Sequence, residues 1–401
     1  MVIGIKLNKL RDMIKQQLGQ FFTTNSEYIL QNLGKYIKGK EAVDPFAGNG
    51  DLIEWAKKNG AKRIEGFDVD KKLVDNKIVF YNDSILNPKK YKFILTNPPY
   101  LNINKADNLI KGKYFNKGGF EDLYQISLSS IINSEEGIVI IPINFLSAEN
   151  SKKIRDLFFS KFKIVEMNYF KHQVFSDTTY NVIAFYYRKK TDLLEDQFNI
   201  KTHIYPEDKL VNIKLNRRFH WAIGGELLNV VWGQKNILGI RRLTEKDLQN
   251  EKGPIKIRAA YNHIKDLLEI RVSKEMYDLL HSNVILLKAI DSGSEGGKLA
   301  LENIKDYGVE CLISKESSRH MIYLIFDKPL KIGEQKRIIE LFNKEINKLR
   351  KAHLSLFLTN YRDKDRKRVS FDFVYKFINY LYFNQLNKKE TGALFADYTY
   401  E

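Results

Sequence analysis

The feature that most restricts the fold of this 401-residue chain is a regular alternation of short apolar runs and helical stretches between residues 41 and 190. Runs such as 63–69 and 91–96 have the length of strands and are bounded by polar or glycine-containing turns. Strands that alternate with helices build βαβ units, which place helices on both faces of a mainly parallel sheet. We therefore predict an α/β, Rossmann-like doubly wound domain in this half of the chain.

The second half has a different pattern. After Asp196 the alternation stops, and short strands such as Phe198–Tyr205 and Met321–Phe326 mix with helical stretches such as Glu334–Ala352. The polar break Arg188–Asp192 is predicted to be the linker. These features predict one domain over residues 1–190 and a C-terminal mixed α+β domain over residues 196–401.

The charge of the chain predicts a polyanionic partner. It carries 66 Lys and Arg against 49 Asp and Glu, a formal net charge of +17. A lysine-rich proteome would also give such an excess. The single cysteine, Cys311, excludes a disulfide framework and fits a reducing cytoplasm. Neither a Cys/His cluster with metal-ligand spacing nor a signal peptide or membrane-length apolar run stands out, so we expect no structural zinc, no membrane partner and a cytoplasmic location.

Asn97-Pro98-Pro99-Tyr100 follows the apolar run Tyr91–Thr96, which predicts a buried strand. Two prolines end the hydrogen bonding of the strand and restrict the backbone that follows. The Asn97 carboxamide and the Tyr100 ring are therefore expected at the carboxyl end of a strand, where open α/β sheets bind ligands. The Asn97 side-chain oxygen and the Pro98 carbonyl can each accept one N–H of an exocyclic amino or amide group, while Tyr100 can stack on its ring.

Three further strand ends carry carboxylates. Asp44 begins a turn with Gly48 and Gly50 that leads into a helix, but this turn lacks the Gly-Lys-Ser/Thr of a phosphate loop, and its acidic residues favour a cationic ligand. Asp68 lies about twenty residues beyond the glycine turn, where such folds bind ribose hydroxyls. Asp83 ends a third strand and suits an adenine amino group.

Taken together, these residues resemble the S-adenosylmethionine-dependent amino-methyltransferases that methylate adenine N6 in DNA. The resemblance covers roughly residues 15 to 190. It rests on the following motifs, in the family's nomenclature: motif X at Gly19–Thr24, motif I at Asp44–Asp51, motif II at Asp68, motif III at Asp83, motif IV at Asn97–Tyr100, motif V at Lys113–Tyr124, motif VI at Gly137–Pro142 and motif VIII at His172–Tyr187. Motif X precedes motif I, and few residues separate motifs III and IV, which is the gamma order of the family.

The resemblance implies a set of functional residues, a cofactor and partners. S-adenosylmethionine is the implied cofactor, and its binding residues are Thr23, Asp44, Phe46, Gly48, Asp68 and Asp83. The implied catalytic residues are Asn97, Pro98, Tyr100 and Phe175, of which Tyr100 and Phe175 hold a flipped base. The implied partners are double-stranded DNA, selected by residues 196–401, and a cognate restriction endonuclease that acts separately in a restriction-modification system.

Other functions remain open at this point. An RNA adenine methyltransferase and a DNA cytosine-N4 methyltransferase meet the same chemical problem, although asparagine at the first position of Asn97–Tyr100 favours adenine. A protein glutamine methyltransferase also uses this motif but needs no long basic C-terminal half. A non-catalytic DNA-binding subunit is the alternative from another class, and the intact Asn97, Asp68 and Asp83 argue against it.

Overall fold

A computed structural model describes residues 22–116, 118–175, 180–291, 298–353, 358–362 and 366–386. The chain divides into two compact units. The first comprises Met1–Gly225 and Leu356–Asp365, and the second comprises Glu226–Ser355 and Arg366–Glu401. In the described residues, no helix is both long enough and apolar enough to cross a membrane.

The first unit is built on a nine-stranded sheet with the order β3-β2-β1-β4-β5-β7-β6-β8-β9. Its strands are β1 (Glu41–Asp44), β2 (Arg63–Asp68), β3 (Val79–Tyr81), β4 (Tyr91–Thr96), β5 (Ser134–Pro142), β6 (Phe162–Phe170), β7 (Val182–Lys189), β8 (Gln197–Tyr205) and β9 (Lys209–Asn216). Strands β1 to β5 are parallel to one another, whereas β7 and β9 run antiparallel to their neighbours. The predicted doubly wound sheet is confirmed.

The α-helices of this unit connect or cover the strands. They are Ser26–Ile29, Gly34–Ile37, Asp51–Lys58, Asn108–Ile110, Leu123–Ser130, Asn144–Ser147 and Lys152–Phe159, with a π-helix at Lys111–Phe115 and 3-10 helices at Glu149–Ser151 and Arg217–Phe219. The connection from β1 to β2 runs towards one edge of the sheet, and that from β4 to β5 runs towards the other. Right-handed crossovers therefore put their helices on opposite faces, and the strand order reverses between β1 and β4.

The sheet continues past the predicted linker. Arg188 and Lys189 still belong to β7, and β8 and β9 add two further strands beside β6. Apolar packing explains the extension, because Phe159 lies against Phe198 of β8 at a centroid distance of 5.4 Å and both rings contact Trp221. The segment predicted to open the second domain thus completes the first sheet. The assignment of functions to residues 1–190 and 196–401 stays a prediction.

The β-branched and aromatic run Thr178–Tyr187 predicts an edge or hairpin strand. Strand β7 pairs antiparallel with β6, the strand before it in the chain, as in a hairpin, but it does not lie at an edge of the sheet. It lies between β5 and β6, antiparallel to both. All residues from Val182 to Tyr187 are buried. A β-branched and aromatic composition predicts a strand but does not specify its neighbours.

The second unit is mixed α+β, as predicted. Its strands are β10 (Ile240–Arg242), β11 (Ile255–Tyr261), β12 (His263–Val272), β13 (Ile285–Lys288), β14 (Ile290–Asp291), β15 (Ala300–Asn303), β16 (Cys311–Ile313), β17 (Met321–Phe326) and β19 (Arg366–Arg368); β18 (Thr359–Arg362) precedes the last of these along the chain. Strands β10-β17-β13-β15 form one sheet, and β12-β11-β16 form another.

The helices of the second half of the chain are Gly225–Trp232, Lys274–His281, Ile332–His353 and Phe371–Leu381, with 3-10 helices at Glu245–Leu248 and Ile304–Tyr307 and a π-helix at Tyr382–Leu386. The longest helix buries Ile338, Phe342 and Ile346, which lie on one face at spacings of four residues. Phe342 packs on Phe377 of the next helix at a centroid distance of 5.4 Å.

Candidate functional site

A pocket lies at the carboxyl ends of β1, β2 and β4, next to the point where the strand order reverses. The empty space within it, including the part open to solvent, is about 650 Å³. Its lining combines carboxylates and amides with apolar side chains: Phe22, Pro45, Phe46, Gly48, Asp68, Val69, Asn82, Asp83, Ser84, Ile85, Asn97, Pro99, Tyr114 and Leu123. Residues from motifs I to V of the predicted family therefore converge on one cavity.

Asp44 is fully buried at the end of β1. Its Oδ1 accepts hydrogen bonds from the Thr96 hydroxyl at 2.7 Å and from the Phe46 amide at 3.0 Å, while its Oδ2 has no hydrogen-bond partner in the described residues. Burial raises the pKa of Asp44 to about 7, although these two hydrogen bonds act in the opposite direction. Thr96 thus ties β1 to β4 beside the pocket, and one buried carboxylate oxygen remains available.

The glycine turn after β1 is held by Asp68 from β2. The Gly48 amide donates to Asp68 Oδ2 at 2.8 Å, and the Asp70 amide donates to Asp68 Oδ1 at 2.7 Å. Gly48 has a φ of +55° and Gly50 a φ of +82°, a backbone region that glycine adopts without strain. Burial raises the pKa of Asp68, and the backbone donors lower it. Asp68 therefore both shapes the turn and lines the cavity.

Asp83 lines the pocket, but its carboxylate is already well supplied with donors. Oδ1 accepts from the amides of Ile85 at 3.3 Å and Leu86 at 3.2 Å. Oδ2 accepts from the Tyr114 hydroxyl at 3.0 Å and lies 2.9 Å from Lys113 Nζ. The predicted contact of Asp83 with an adenine amino group stays a prediction, and such a group would share the carboxylate with Tyr114 and Lys113.

Asn97 follows β4 directly and is 8% exposed. Its Nδ2 donates to Thr23 Oγ1 at 3.1 Å, and its Oδ1 accepts a hydrogen bond from the Tyr100 hydroxyl. The family resemblance implies that Thr23 binds the cofactor. Here it orients the carboxamide of Asn97, so that the amide oxygen is the acceptor side of the group. Gly19–Phe21, the first part of the same motif, lie outside the described residues.

The rings of Tyr100 and Phe175 are both buried. The Tyr100 hydroxyl donates to the Ile140 carbonyl at 2.8 Å as well as to Asn97, and its ring meets Tyr124 edge-on at a centroid distance of 6.5 Å. Burial raises the pKa of Tyr100 well above its ordinary value of 10.0. Phe175 is 4% exposed and, like Tyr100, is not part of the pocket lining. Stacking of either ring on a base stays a prediction. Pro98 is buried, and Pro99 lines the pocket.

Some pocket residues were not singled out by the sequence. Tyr114 reaches the pocket from the π-helix Lys111–Phe115, and burial raises its pKa to about 12. Phe22 lies so close to Gly48 that a Cβ atom there would come within 3.3 Å of the ring. Thr96 acts on the site indirectly, through its hydrogen bond to Asp44. Phe22 lies in motif X and Tyr114 in motif V, but no pattern in the sequence indicates that their rings face the cavity.

The pocket fits S-adenosylmethionine in its chemistry. The cofactor is a nucleoside with a positively charged sulfonium. Asp68 and Asp83 supply carboxylates, and Asp44 nearby keeps an unpartnered buried oxygen. Val69, Ile85 and Phe46 supply apolar surface for a flat ring. We find the residues expected of such a site in one place.

Comparison with known protein families gives one informative match. Residues 5–175 match a family profile described as Eco57I restriction-modification methylase. The matched segment contains all the pocket residues. A comparison with curated proteins gives no significant match.

Solved structures that resemble this chain do so at low identity. The type I restriction enzyme EcoKI M protein has a TM-score of 0.35 and 14% identity over 46% of this chain and 49% of its own. A type I restriction-modification system methyltransferase subunit from Streptococcus thermophilus has a TM-score of 0.33 and 13% identity over 48% and 50%, respectively. The type IIG restriction endonuclease BpuSI has a TM-score of 0.39 and 14% identity over 65% and 40%. This chain thus spans about half the length of these type I subunits.

The family match and the pocket agree on the cofactor and on the general class of reaction. Both concern the same segment, and the sheet order places the motifs around a single cavity. Residues 5–175 are therefore similar to the Eco57I restriction-modification methylases, and S-adenosylmethionine is the cofactor of this segment.

Proposed function

We propose that the chain is a site-specific DNA methyltransferase that transfers a methyl group from S-adenosylmethionine to the exocyclic N6 of a flipped adenine, as part of a restriction-modification system. The observation that carries the proposal is the position of Asn97, a nearly buried carboxamide at the rim of the cofactor pocket whose amide nitrogen is already bonded to Thr23. Its oxygen, which accepts from the Tyr100 hydroxyl, is therefore the atom that would accept from an amino group.

Methyl transfer to an aromatic amino group requires hydrogen-bond acceptors for its N–H groups more than it requires a general base. The lone pair of an aromatic amino group is delocalised into the ring, so the nitrogen is a weak nucleophile. The Asn97 oxygen and the Pro98 carbonyl would accept its two protons and favour a more tetrahedral nitrogen in the transition state. Tyr100 already donates to Asn97 Oδ1. We therefore expect the amino group to share that oxygen with Tyr100 or to displace the Tyr100 hydroxyl.

The cofactor supplies an activated methyl group, so the protein has mainly to align the reacting atoms. In this proposal Asp68 binds the ribose hydroxyls, Val69 and Ile85 enclose the adenine ring, and Asp44 with Asp68 offsets the positive charge of the sulfonium. The target base must leave the duplex to reach Asn97, and buried rings such as Tyr100 and Phe175 are the candidates to stack on it after rearrangement.

The pocket residue Asp68 offers a direct test of cofactor binding. A carboxylate that accepts hydrogen bonds from ribose hydroxyls contributes about 1.5–3 kcal/mol. We expect Asp68→Ala to weaken S-adenosylmethionine binding by at least tenfold in calorimetry, while Asp70→Ala, which changes the neighbouring carboxylate, has little effect. Unchanged affinity in Asp68→Ala together with a loss in Asp70→Ala would move the ribose contact to Asp70.

The proposed reaction is tested by sequencing DNA with modified-base detection from cells that express this chain. Methylated adenine at one sequence is the expected result, and Asn97→Ala cells are the control. Methylated cytosine, or methylation of RNA only, would assign the site to the alternative substrates named above. The absence of any modified base under conditions where the protein binds S-adenosylmethionine would refute the proposed function.

A further inference from the structure

We propose that one surface of the second unit contacts the DNA duplex. This basic turn surface consists of the hairpin turn Tyr261–His263 with the adjacent Lys265, and of the loop Lys315–His320. The inference rests on the proposed function, because it takes duplex DNA as the substrate. It adds residues of the second unit that would touch that substrate.

The fold places the two segments side by side. Strands β11 and β12 are joined by a tight turn in which Asn262 has a φ of 58°, a left-handed conformation that asparagine tolerates better than most residues. The Asn262 amide donates to the Ile313 carbonyl at 2.7 Å. Ile313 is the last residue of β16, and the loop Lys315–His320 follows it. The turn is therefore attached to the base of the loop.

Side chains from the two segments also lie close to one another. Lys315 Nζ lies 5.7 Å from the centroid of the Tyr261 ring. The rings of His263 and His320 are 6.2 Å apart. The surface thus combines cationic groups with rings that can hydrogen-bond or stack, which is the composition found where proteins contact phosphates and base edges.

The charge on this surface is not balanced by the protein itself. Lys265, Lys315 and Arg319 are exposed, and none of them forms an ion pair within the described parts of the chain. The carboxylate of the loop, Glu316, is 3.5 Å from Lys246 and 3.7 Å from Arg242. Those two cations offset Glu316. The other carboxylates beside the surface are Glu245, which accepts from the Tyr261 hydroxyl at 2.9 Å, and the exposed Asp266. The three cations therefore leave a net positive charge for a polyanion.

Several other basic residues of this unit are engaged within the protein. Arg241 pairs with Asp247 at 2.6 Å. Arg242 donates to the carbonyls of Glu316 and Ser318, at 3.0 and 3.2 Å, and its side chain is only 19% exposed. Arg319 donates to the same two carbonyls, at 2.8 Å each, but is exposed. In the run Arg366–Arg368, Lys367 is only 2% exposed. A two-stranded hairpin can enter the major groove, which is about 12 Å wide. The turn at Tyr261–His263 is thus a better candidate for contact with DNA than Arg241, Arg242 or Lys367.

The test compares two triple variants of the full-length chain. Lys265→Ala/Lys315→Ala/Arg319→Ala removes the charges of the basic turn surface. Lys336→Ala/Arg337→Ala/Lys344→Ala is the matched control, with the same loss of two lysines and one arginine from exposed positions on the helix Ile332–His353.

Binding of a fluorescein-labelled DNA duplex of mixed sequence is measured by anisotropy at several salt concentrations. Each phosphate contact contributes about 0.9 to the slope of log affinity against log salt concentration. We expect the surface variant to reduce the magnitude of this slope by about 2 to 3, and the control variant to leave it nearly unchanged. Thermal unfolding of both variants should match that of the wild type.

The outcomes separate this inference from the proposed function. If the wild type binds the duplex with a steep salt dependence, and both triple variants change the slope equally or not at all, the assignment of this surface is wrong while the methyltransferase proposal stands. If the wild type binds S-adenosylmethionine but shows no salt-dependent affinity for the duplex, DNA is not the substrate and both proposals fail.

Discussion

At the scale of single residues, the site depends on which atom of each polar side chain is already in use. The amide nitrogen of Asn97 donates a hydrogen bond to Thr23, and the amide oxygen of Asn97 accepts one from the Tyr100 hydroxyl. Thr96 and the Phe46 amide share one oxygen of Asp44 and leave the other without a partner in the described residues. These hydrogen bonds orient the groups before any ligand is bound, which lowers the cost of arranging them during the reaction.

Replacement of the central carboxamide tests its role in the proposed chemistry. We expect Asn97→Ala to reduce methyl transfer by at least 100-fold, because an acceptor used in the transition state contributes roughly 2.7–4 kcal/mol. Cofactor affinity should stay within a few fold. Asn104→Ala, at an exposed asparagine seven positions later, is the control and should retain activity. Near-normal turnover in Asn97→Ala would remove this residue from the mechanism.

The buried carboxyl of Asp44 predicts a dependence of stability on pH. Its pKa is raised from an ordinary value of 3.8 to about 7 in the folded protein. Below pH 4 the group is protonated in both states. Between about pH 4 and pH 7 the unfolded chain releases a proton that the folded chain keeps, so this group lowers the free energy of unfolding by about 1.4 kcal/mol per pH unit.

Asp44→Asn lacks this titration. We therefore expect the stability of the variant relative to the wild type to rise by about 2–3 kcal/mol between pH 5 and pH 7, as measured by urea unfolding without cofactor. A difference between the two proteins that is the same at both pH values, or that moves the other way, would show that Asp44 has no raised pKa in the folded state.

At the scale of elements, the pocket exists because β2 comes very close to the glycine turn and to the helix Asp51–Lys58. Gly66 in β2 permits this approach, since a Cβ atom there would lie 2.6 Å from Ala47 Cβ and 2.9 Å from Ile53 Cδ1. The same strand ends in Asp68, which bonds the Gly48 amide. Packing at Gly66 therefore sets the position of a carboxylate in the pocket.

Enlarging that glycine should damage both stability and cofactor binding. We expect Gly66→Ala to cost about 1–3 kcal/mol of folding free energy, as overpacking of a tight contact usually does. Gly112→Ala is the control, because no atom lies within 4 Å of the added Cβ, and it should be neutral or slightly stabilising. Urea unfolding of both variants measures the difference. Equal stability of the two would mean that the contact at β2 relaxes without cost.

At the scale of the whole molecule, the first unit ends at Gly225 before its short return segment, well beyond the polar break at Arg188–Asp192. Strands β8 and β9 lie between these two points and extend the sheet from β6. Trp221 packs on Phe159 and Phe198, at centroid distances of 5.5 and 5.3 Å. A chain that ends at this polar break therefore lacks Phe198 and Trp221, the two rings that pack on Phe159.

Two truncations test this division of the chain. We expect residues 1–225 to fold and bind S-adenosylmethionine, whereas residues 1–192 should aggregate because the β6 edge and Phe159 become exposed. The 1–225 fragment should also lose specific DNA binding, as measured by anisotropy with the methylated sequence. If it methylates the same site as the full-length chain, the second unit does not select the sequence, and an oligomerisation or partner-binding role would then be the better interpretation.

The sequence determined the general architecture and the chemical composition of the site. Apolar runs separated by helices predict a parallel sheet, and such a sheet gathers strand ends at one edge. Asp44, Asp68, Asp83 and Asn97 could therefore be assigned to one place, because each follows a strand. The proline pair after Asn97 made its strand end recognisable. These are local features, which depend on residues close together in the chain.

Only the tertiary structure decided the partners of those residues and the extent of the sheet. The bonds from Thr23 to Asn97 and from Tyr114 to Asp83 join residues 74 and 31 positions apart, and the interior position of β7 depends on neighbours from elsewhere in the chain. Local patterns carry no information on such pairings, because a strand of β-branched and aromatic residues can lie at an edge or in the middle of a sheet. The sequence pattern allows several arrangements of the strands. Long-range packing, above all that of Phe159, Phe198 and Trp221, determines which of these arrangements the sheet adopts.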